Sequence, residues 1–522
     1  MLNAKEMLSS LSLKEKVGQL FHIGIPKAEL NEATIWQINE IKPGGIIYFS
    51  RNIQNPGQLK NLSLKLQQLS SIPLFISTDQ EGGAVMRLVD GVTVFPGNMA
   101  LGATRSATLS YQAGRITGEE LYLLGINMNL APVLDVNNNP NNPVIGLRSF
   151  GEDPNLVSEL GSALVLGLQD AMVIATGKHF PGHGDTNQDS HLNLPVVAHP
   201  LARLHEVELM PFKSAIQKGL RAIMTAHVVF PAIEPDPTTP ATLSKKVLTG
   251  LLREELGFDG LILTDCMEMK AISDTYGTKE GAIRTIIAGA DMILISHTPK
   301  LQLEAYYGLL NAVETNRITE ERLDESVLRI LQAKIDYGII DQDWQQCDFI
   351  SLAAHESINT AQTIARSAVT ILKGDNLLPL KGRIAIVDLQ ANAATIAEDV
   401  TLNPTTLSYA ARGEGLDYLS LPFDRDELDL ERLQTINADI YVVTTMDAHR
   451  YQNQLALIKA LKQKGQVFAV GLRTPYEYKV LSDLVDGYIT TYSYRQPSLV
   501  AAWEVLTGKL KAPGILPVSI QF

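Results

Sequence analysis

A regular alternation of short apolar runs with longer amphipathic segments between residues 19 and 337 limits most strongly how this chain can fold. The intervening segments have helical spacing, as in residues 55–71, where leucines recur every three or four positions. This alternation is typical of βα units and predicts a parallel sheet. Eight apolar runs occur: QLFHIGI at 19–25, GGIIYF at 44–49, PLFIST at 73–78, INMNLAPVL at 126–134, VIATGK at 173–178, AIMTAH at 222–227, GLILT at 260–264 and ADMILIS at 290–296.

Eight βα units predict a closed (β/α)8 barrel, while an open doubly wound sheet is the alternative that the count leaves open. The placement of polar residues favours the barrel, because barrel active sites are built where the C-terminal ends of the strands meet. We therefore expect one site at this end of the barrel. Five different runs end at, or just before, a polar residue or pair: Asp79, Asp135, Lys178 with His179, His227 and Asp265.

A second α/β region follows the barrel. The helical segment near 319–337 ends at Gly338, a suitable helix stop, and residues 341–360 are predicted to be a linker. We predict a catalytic barrel in residues 1–340 and a smaller open-sheet α/β sandwich domain in residues 361–522, with three domains as the alternative. The strand candidates of the second region are AVTIL at 368–372, RIAIVD at 383–388, DIYVVTT at 439–445, QVFAVGL at 466–472 and DGYITTY at 486–492.

Charge and composition limit the classes of partner and the cellular location that we expect for this chain. The chain has 44 Lys and Arg against 57 Asp and Glu, a formal net charge of −13, which disfavours nucleic acid and anionic membranes as partners. Its two cysteines, Cys266 and Cys347, are too few for a disulfide framework. Lys14, Glu15 and Lys16 interrupt the apolar stretch that a signal peptide needs, so we expect a soluble cytoplasmic protein, although a removed leader would leave no trace in this sequence.

The densest polar stretch is KHFPGHGDTNQDSH at 178–191, where glycines flank His183. A metal site is one interpretation, because His179 and His183 lie four residues apart and Asp185, Asp189 and His191 follow. Pro181 and the glycines prevent a helix that would bring the two histidines onto one face, and no metal motif is present. We therefore expect no metal.

A nucleophile relay is the second interpretation. Asp265 places a carboxylate at the end of a predicted strand, and His191 lies two residues after Asp189, which could orient it. Retaining glycoside hydrolysis needs one carboxylate to attack the anomeric carbon and a second group to exchange protons. The Asp-Ser-His triplet alone is a weak signal, because such spacings arise often by chance.

The chain resembles glycoside hydrolase family 3, and within it the β-N-acetylglucosaminidase branch. KHFPGHGDT followed by DSH is similar to the acid/base signature of that branch. The similar blocks cover the whole barrel in family order and extend into the second domain. The further blocks are DQEGGAVMRL at 79–88, LAPVLDV at 130–136, IGLRSFGEDP at 145–154, MTAHV at 224–228, LILTDCMEM at 261–269 and RSAVTILKGDNLLPL at 366–380.

The resemblance implies a role for each matching residue. Asp265 matches the catalytic nucleophile, His191 the general acid/base and Asp189 the partner that polarises it. Asp135 and His227 lie in matching blocks, where a catalytic and a supporting role are both open. The positions that match sugar-binding residues are Asp79, Arg87, Arg148, Lys178 and His179.

Two positions depart from the family pattern. Ala84 stands where the family usually has arginine, which could change the affinity for an acidic or peptide-bearing aglycone. Cys266 stands where the family usually has a second acidic residue, and we expect a small apolar filler there if it is buried.

The resemblance implies a retaining exo-β-N-acetylglucosaminidase that acts on GlcNAc-containing oligosaccharides or muropeptides. It implies no metal or organic cofactor and no obligatory protein partner. Three alternatives are open: a β-glucosidase of the same family, a phosphorylase that uses phosphate as the acceptor, and a catalytically silent sugar-binding protein.

Overall fold

The structure is a computed structural model that describes residues 3–190, 194–341, 352–389, 398, 406–412 and 436–520, and the backbone of 417–421. Its first half contains ten strands in the described residues: β1 (Phe21–Gly24), β2 (Gly45–Tyr48), β3 (Phe75–Thr78), β4 (Gln80–Gly82), β5 (Val85–Met86), β6 (Met128–Asn129), β7 (Ile174–Phe180), β8 (Ala222–Thr225), β9 (Leu261–Cys266) and β10 (Met292–Ile295).

Eight of these strands form a closed parallel barrel in the order β1-β10-β9-β8-β7-β6-β3-β2, while β4 and β5 pair separately as an antiparallel ribbon. Each of the eight begins within one of the apolar runs that the sequence predicted as strands, and only β7 and β9 extend past their runs, to Phe180 and Cys266. The barrel is therefore confirmed. Because both faces of a parallel barrel strand are covered, the strands are apolar along most of their length rather than alternating.

Helices surround the barrel. Those of the first half are α1 (Ala4–Ser10), α2 (Leu13–Gln19), α3 (Glu32–Ile41), α4 (Pro56–Leu69), α5 (Asn98–Thr104), α6 (Ala107–Leu123), α7 (Pro154–Asp170), α8 (Leu201–Glu206), α9 (Met210–Gln217), α10 (Lys270–Ser273), α11 (Thr278–Ala288), α12 (Pro299–Glu314) and α13 (Glu320–Asp336), with a π-helical segment at Lys246–Glu255.

Local sequence explains where these helices begin. The Asn55 side chain accepts a hydrogen bond from the Gln58 backbone N–H, and Pro56 takes the first helical position of α4, where no backbone donor is needed. Asp153 and Pro154 start α7 in the same way. The buried face of α4 contains Leu59, Leu62 and Leu66, as the leucine spacing predicted.

The second half is an open six-stranded sheet in the order β11-β16-β15-β14-β12-β13, in which β11 is antiparallel to β16 and the other neighbours are parallel. This confirms the predicted smaller α/β domain. Its strands are β11 (Thr370–Lys373), β12 (Ile384–Leu389), β13 (Asp417–Leu421), β14 (Ile440–Thr445), β15 (Gln466–Gly471) and β16 (Gly487–Thr490), and its helices are α14 (His355–Ala368), α15 (Leu407–Ala410), α16 (Gln452–Lys462), α17 (Tyr478–Leu481) and α18 (Gln496–Leu506).

The two halves share contacts. The Arg495 guanidinium donates to the Gly83 carbonyl at 2.6 Å, and the Asn137 side-chain amide donates to the Tyr476 hydroxyl at 2.9 Å. Of the predicted linker, residues 342–351 lie outside the described residues, so the exact domain division stays a prediction. In the described part of the chain, no helix is both long and apolar enough to cross a bilayer.

Candidate active site

A cavity of about 530 Å³ lies at the C-terminal ends of the barrel strands. Asp189 is half-buried and is not among the described residues that line this cavity, and His191 lies outside the described residues. The structure thus brings together most of the residues that the sequence predicted for a single site. The predicted site residues that line the cavity are Asp79, Arg87, Arg148, Lys178, His179 and Asp265.

Lys178, at the end of β7, is the centre of a buried ion cluster in this cavity. Its Nζ lies 2.7 Å from Asp79 Oδ1 and 2.7 Å from Glu81 Oε1, and its side chain is 2% exposed. Asp79 directly follows β3, and Glu81 lies in β4. A lysine is buried this deeply only when it is paired, so the two carboxylates hold its ammonium inside the cavity wall.

Two arginines complete the cluster. Arg148 donates to both carboxylate oxygens of Glu81, at 2.9 and 2.7 Å, and the Arg87 guanidinium lies 3.3 Å from Asp79 Oδ2. Burial by itself would raise the pKa of Glu81, but Arg148 and Lys178 outweigh it and lower that pKa to about 2. Burial would also raise the pKa of Asp79, but the nearby cations Lys178 and Arg87 outweigh it and hold this pKa below its usual range. Both carboxylates are therefore ionised at neutral pH and can accept hydrogen bonds from the hydroxyl groups of a ligand.

Asp135 supports the neighbouring histidine from behind. Its Oδ2 lies 2.7 Å from His179 Nδ1, and its Oδ1 accepts hydrogen bonds from the backbone N–H groups of His179 and His183 at 3.2 and 2.7 Å. Asp135 is fully buried and does not line the cavity, whereas His179 does. The contact fixes the His179 ring through Nδ1 and leaves Nε2 as its other polar atom.

His227 has a similar supporting position next to the predicted nucleophile. Its ring nitrogens contact Thr242 Oγ1 at 2.8 Å and the Cys266 carbonyl at 3.0 Å. The ring is fully buried and does not line the cavity. Through the Cys266 carbonyl, His227 contacts the backbone at the end of β9. Asp265, the preceding residue, is half-buried in the cavity wall and accepts a hydrogen bond from the Cys266 N–H at 2.7 Å.

Several lining residues were not found from the sequence. Glu81 lies in the block DQEGG, where its spacing of two from Asp79 was a usable signal. Glu398 has no such signal: it belongs to the second half, where its carboxylate pairs with Arg473 at 2.9 Å, and it reaches the cavity only through the packing of the two halves. The other lining residues in this group include Arg51, Glu268 and His297.

The two departures from the family pattern have different surroundings. Ala84 is 1% exposed and belongs to an apolar cluster that joins the barrel half to the open sheet. Cys266 lines the cavity beside Glu268, and burial raises the pKa of its thiol to about 12. At neutral pH this thiol is protonated and therefore a poor nucleophile.

Among the described residues, one group of side chains has atoms placed as metal ligands. Atoms of Asp185, His199 and Glu208 lie within 4.8 Å of one another. His199 Nε2, however, is 2.6 Å from Asp185 Oδ2, and Arg203 donates to both oxygens of Glu208 at 3.0 and 2.8 Å. These contacts pair the polar groups without an ion, and none of the four residues lines the cavity.

Comparison with known proteins identifies the family. The profile described as "Glycosyl hydrolase family 3 N terminal domain" matches residues 12–333. The chain belongs to glycosyl hydrolase family 3. It is 33% identical over 538 residues to beta-hexosaminidase A of Pseudoalteromonas piscicida, covering 92% of this chain and 89% of that protein.

Two further relatives match different shares of the chain. A beta-hexosaminidase of Nitrosomonas eutropha is 36% identical over 319 residues, which cover 59% of this chain and 90% of the relative. A solved structure of a glycoside hydrolase family 3 beta-N-acetylglucosaminidase from Paenibacillus is 42% identical, with a TM-score of 0.92 over 98% of this chain and 99% of that chain. The similarity therefore extends over both halves.

Proposed function

We propose that this protein is a retaining exo-β-N-acetylglucosaminidase that removes terminal β-linked GlcNAc from peptidoglycan- or chitin-derived oligosaccharides. The observation that carries the proposal is the cavity in which Asp265 lies with the ion cluster of Lys178, Asp79 and Glu81. The relatives named beta-hexosaminidase and beta-N-acetylglucosaminidase support the choice of sugar.

The proposed reaction proceeds in two displacements. Asp265 attacks the anomeric carbon and forms a glycosyl-enzyme ester, while His191 gives its proton to the departing oxygen. His191, now neutral, then takes a proton from water, which attacks the ester and releases GlcNAc with the β configuration. Asp189 favours the protonated form of His191 in the first step. No metal or organic cofactor takes part.

The buried ion cluster and His179 bind the terminal sugar in this proposal. Ionised Asp79 and Glu81 accept hydrogen bonds from sugar hydroxyls, and Lys178, Arg148 and Arg87 donate them. Because these residues are held by one another before the substrate arrives, little side-chain freedom is lost on binding. Residues of the second half, Glu398 among them, would contact the aglycone or the outer cavity wall.

The proposal is tested first by the choice of sugar and the configuration of the product. We expect the protein to hydrolyse 4-nitrophenyl β-GlcNAc in preference to 4-nitrophenyl β-glucoside, and proton NMR to detect the β-anomer of GlcNAc first. Asp265→Asn should lower kcat by on the order of 10³-fold or more, because the amide cannot form the ester.

Other outcomes correspond to the alternatives. Preference for the glucoside would favour a β-glucosidase, and GlcNAc-1-phosphate formed on adding phosphate would favour a phosphorylase. Binding of GlcNAc oligomers without cleavage over a long incubation would favour a silent sugar-binding protein. Release of the α-anomer first would contradict a double displacement.

A further inference from the structure

His183 is a buried histidine that contacts two hydroxyl groups of the same loop. Its Nδ1 lies 2.9 Å from Thr186 Oγ1, and its Nε2 lies 2.9 Å from Ser190 Oγ. His183 and Ser190 are each 2% exposed, and both line the cavity. The pair therefore belongs to the wall of the proposed sugar site, although neither residue is a predicted catalytic or sugar-binding group.

The backbone around His183 is held from behind. Asp135 Oδ1 accepts the His183 N–H at 2.7 Å, and the Asn142 side-chain amide donates to the carbonyls of His183 and Gly184 at 2.8 and 3.0 Å. A Cβ at Gly184 would lie 1.8 Å from the Val136 carbonyl oxygen, so only glycine allows this close approach. The position of the His183 ring is thus set by buried groups rather than by the cavity.

One arrangement of the ring protons is compatible with all of these contacts. Burial, aided by nearby His179, lowers the pKa of His183 to about 4, so the imidazole is neutral at working pH. The Thr186 hydroxyl donates to the His183 carbonyl at 3.2 Å, which leaves Thr186 Oγ1 to accept from Nδ1–H. Nε2 then accepts the hydroxyl proton of Ser190.

We propose that His183 is a positioning residue for the acid/base of the reaction and that it acts through the side chain of Ser190. Ser190 is covalently joined to Asp189 on one side and His191 on the other, and the contact with His183 holds the Ser190 hydroxyl at the cavity wall. The inference rests on the proposed function, in which His191 exchanges protons with the leaving group and water and Asp189 favours the protonated form of His191.

A matched pair elsewhere in the barrel separates this role from a merely structural one. His22 in β1 is also buried, its Nε2 lies 2.8 Å from Ser77 Oγ, and burial lowers its pKa to about 4. Neither His22 nor Ser77 lines the cavity. Ser77→Ala therefore removes the same kind of hydrogen bond without touching the loop that contains the proposed acid/base.

The test is the dependence of kcat/KM on the leaving group, because kcat/KM reports on formation of the glycosyl-enzyme. Chitobiose needs a proton on its departing hydroxyl, whereas the 2,4-dinitrophenolate of dinitrophenyl β-GlcNAc departs without one. We expect Ser190→Ala and His183→Asn to lower kcat/KM on chitobiose by about 10- to 100-fold and on the dinitrophenyl substrate by less than about threefold. Ser77→Ala should leave the ratio between the two substrates unchanged.

Two further variants test the route through Ser190. His183→Gln places an amide near the position of Nε2, whereas His183→Asn reaches only the position of Nδ1, so the glutamine variant should recover activity on chitobiose to within about threefold of wild type. The double variant His183→Asn, Ser190→Ala should be no slower than the slower single variant, because both remove one hydrogen bond.

Each contrary result has a distinct meaning. Equal losses on both substrates, no loss on either, or additive losses in the double variant would overturn the positioning role. Since Ser190→Ala deletes a single oxygen atom, its substrate ratio decides the matter even if the histidine variants fail to fold. A wild-type protein that cleaves neither GlcNAc substrate would instead refute the proposed function itself.

Discussion

At the scale of single residues, the charge balance around Lys178 explains how so many ionic groups stay buried in one cavity. Two carboxylates, Asp79 and Glu81, are shared among three cations at distances between 2.7 and 3.3 Å. Each charged group thereby has an opposite charge in contact, which offsets the cost of its desolvation. The removal of one member should therefore affect stability and sugar binding together.

Glu81→Gln tests this balance. The amide would place N–H donors against Lys178 and Arg148 and leave these cations with one anion fewer. We expect the free energy of unfolding to fall by about 3–5 kcal/mol, as for other broken buried ion pairs, and KM for GlcNAc substrates to rise. Chemical denaturation and steady-state kinetics measure the two effects.

The control for this variant is Glu280→Gln. Glu280 pairs with Arg284 and Arg317 at the surface, and its side chain is 29% exposed. Because exposed ion pairs contribute about 0–1 kcal/mol, this variant should unfold almost as the wild type does. An equal loss of unfolding free energy in both variants would contradict the prediction that the buried Glu81 ion pairs contribute more to stability than exposed pairs do.

At the scale of secondary-structure elements, α13 covers the barrel with one buried lysine. Lys334 is fully buried, its Nζ contacts Gln19 Oε1 at 2.7 Å, and it lies 5.1 Å from the centre of the Phe75 ring. No carboxylate pairs with it among the contacts of the described residues, and burial lowers its pKa from 10.5 to about 7. The free-energy cost of burying Lys334 when α13 packs on the barrel therefore depends on pH.

The sign of this dependence follows from proton binding. Between pH 7 and about 10.5 the unfolded chain binds a proton at Lys334 that the folded protein does not, so this residue makes the folded state more stable as the pH rises through that window. Below pH 7 both states are protonated and the full cost of burial is present. Lys334→Met should therefore stabilise the protein, most strongly below pH 7 and progressively less toward pH 10.5.

Thermal unfolding of both proteins from pH 6 to 10 measures the difference. Lys300→Met serves as the control, because the Lys300 side chain is 82% exposed and its ammonium is hydrated in both states. We expect no comparable slope for the control. A Lys334→Met variant whose advantage is constant or grows with pH would disagree with a buried, neutral amine in the folded state.

The elements also show why part of the fold could be predicted. The barrel strands are buried on both faces, so they appear in the sequence as continuous apolar runs such as IIY in β2 and MILI in β10. Strand β13, DYLSL, lies at the sheet edge and includes the polar residues Asp417 and Ser420, so it gave no continuous apolar run. The ribbon of β4 and β5 has only three and two residues and carries no period.

The site residues also divide into those that a local sequence pattern indicates and those that it does not. Asp79, Lys178 and Asp265 could be found because strand ends in a parallel barrel converge by topology alone. Arg148 lies in a short 3-10 turn away from any strand end, and only the family resemblance indicated it. Glu398 could not be found, because its distance from the cavity depends on how the second half packs rather than on local sequence.

At the scale of the whole molecule, the second half contributes to the cavity wall through Glu398 and packs against the barrel half. An apolar cluster joins Ala84, Met99 and Leu147 of the barrel half to strands of the open sheet. Polar contacts cross the same boundary, including Arg495 to the Gly83 carbonyl. Because Gly83 and Ala84 directly follow β4, which contains Glu81, these contacts connect the packing of the two halves to the ion cluster.

The most direct test of the account is the identity of the residue that bonds to the sugar. A fluorinated GlcNAc fluoride that forms the glycosyl-enzyme but hydrolyses slowly would trap the intermediate, and mass spectrometry of the digested protein would locate the added sugar. We predict the adduct on Asp265 and its absence in Asp265→Asn. An adduct on another residue, or turnover of the reagent without any covalent adduct, would contradict the proposed double displacement.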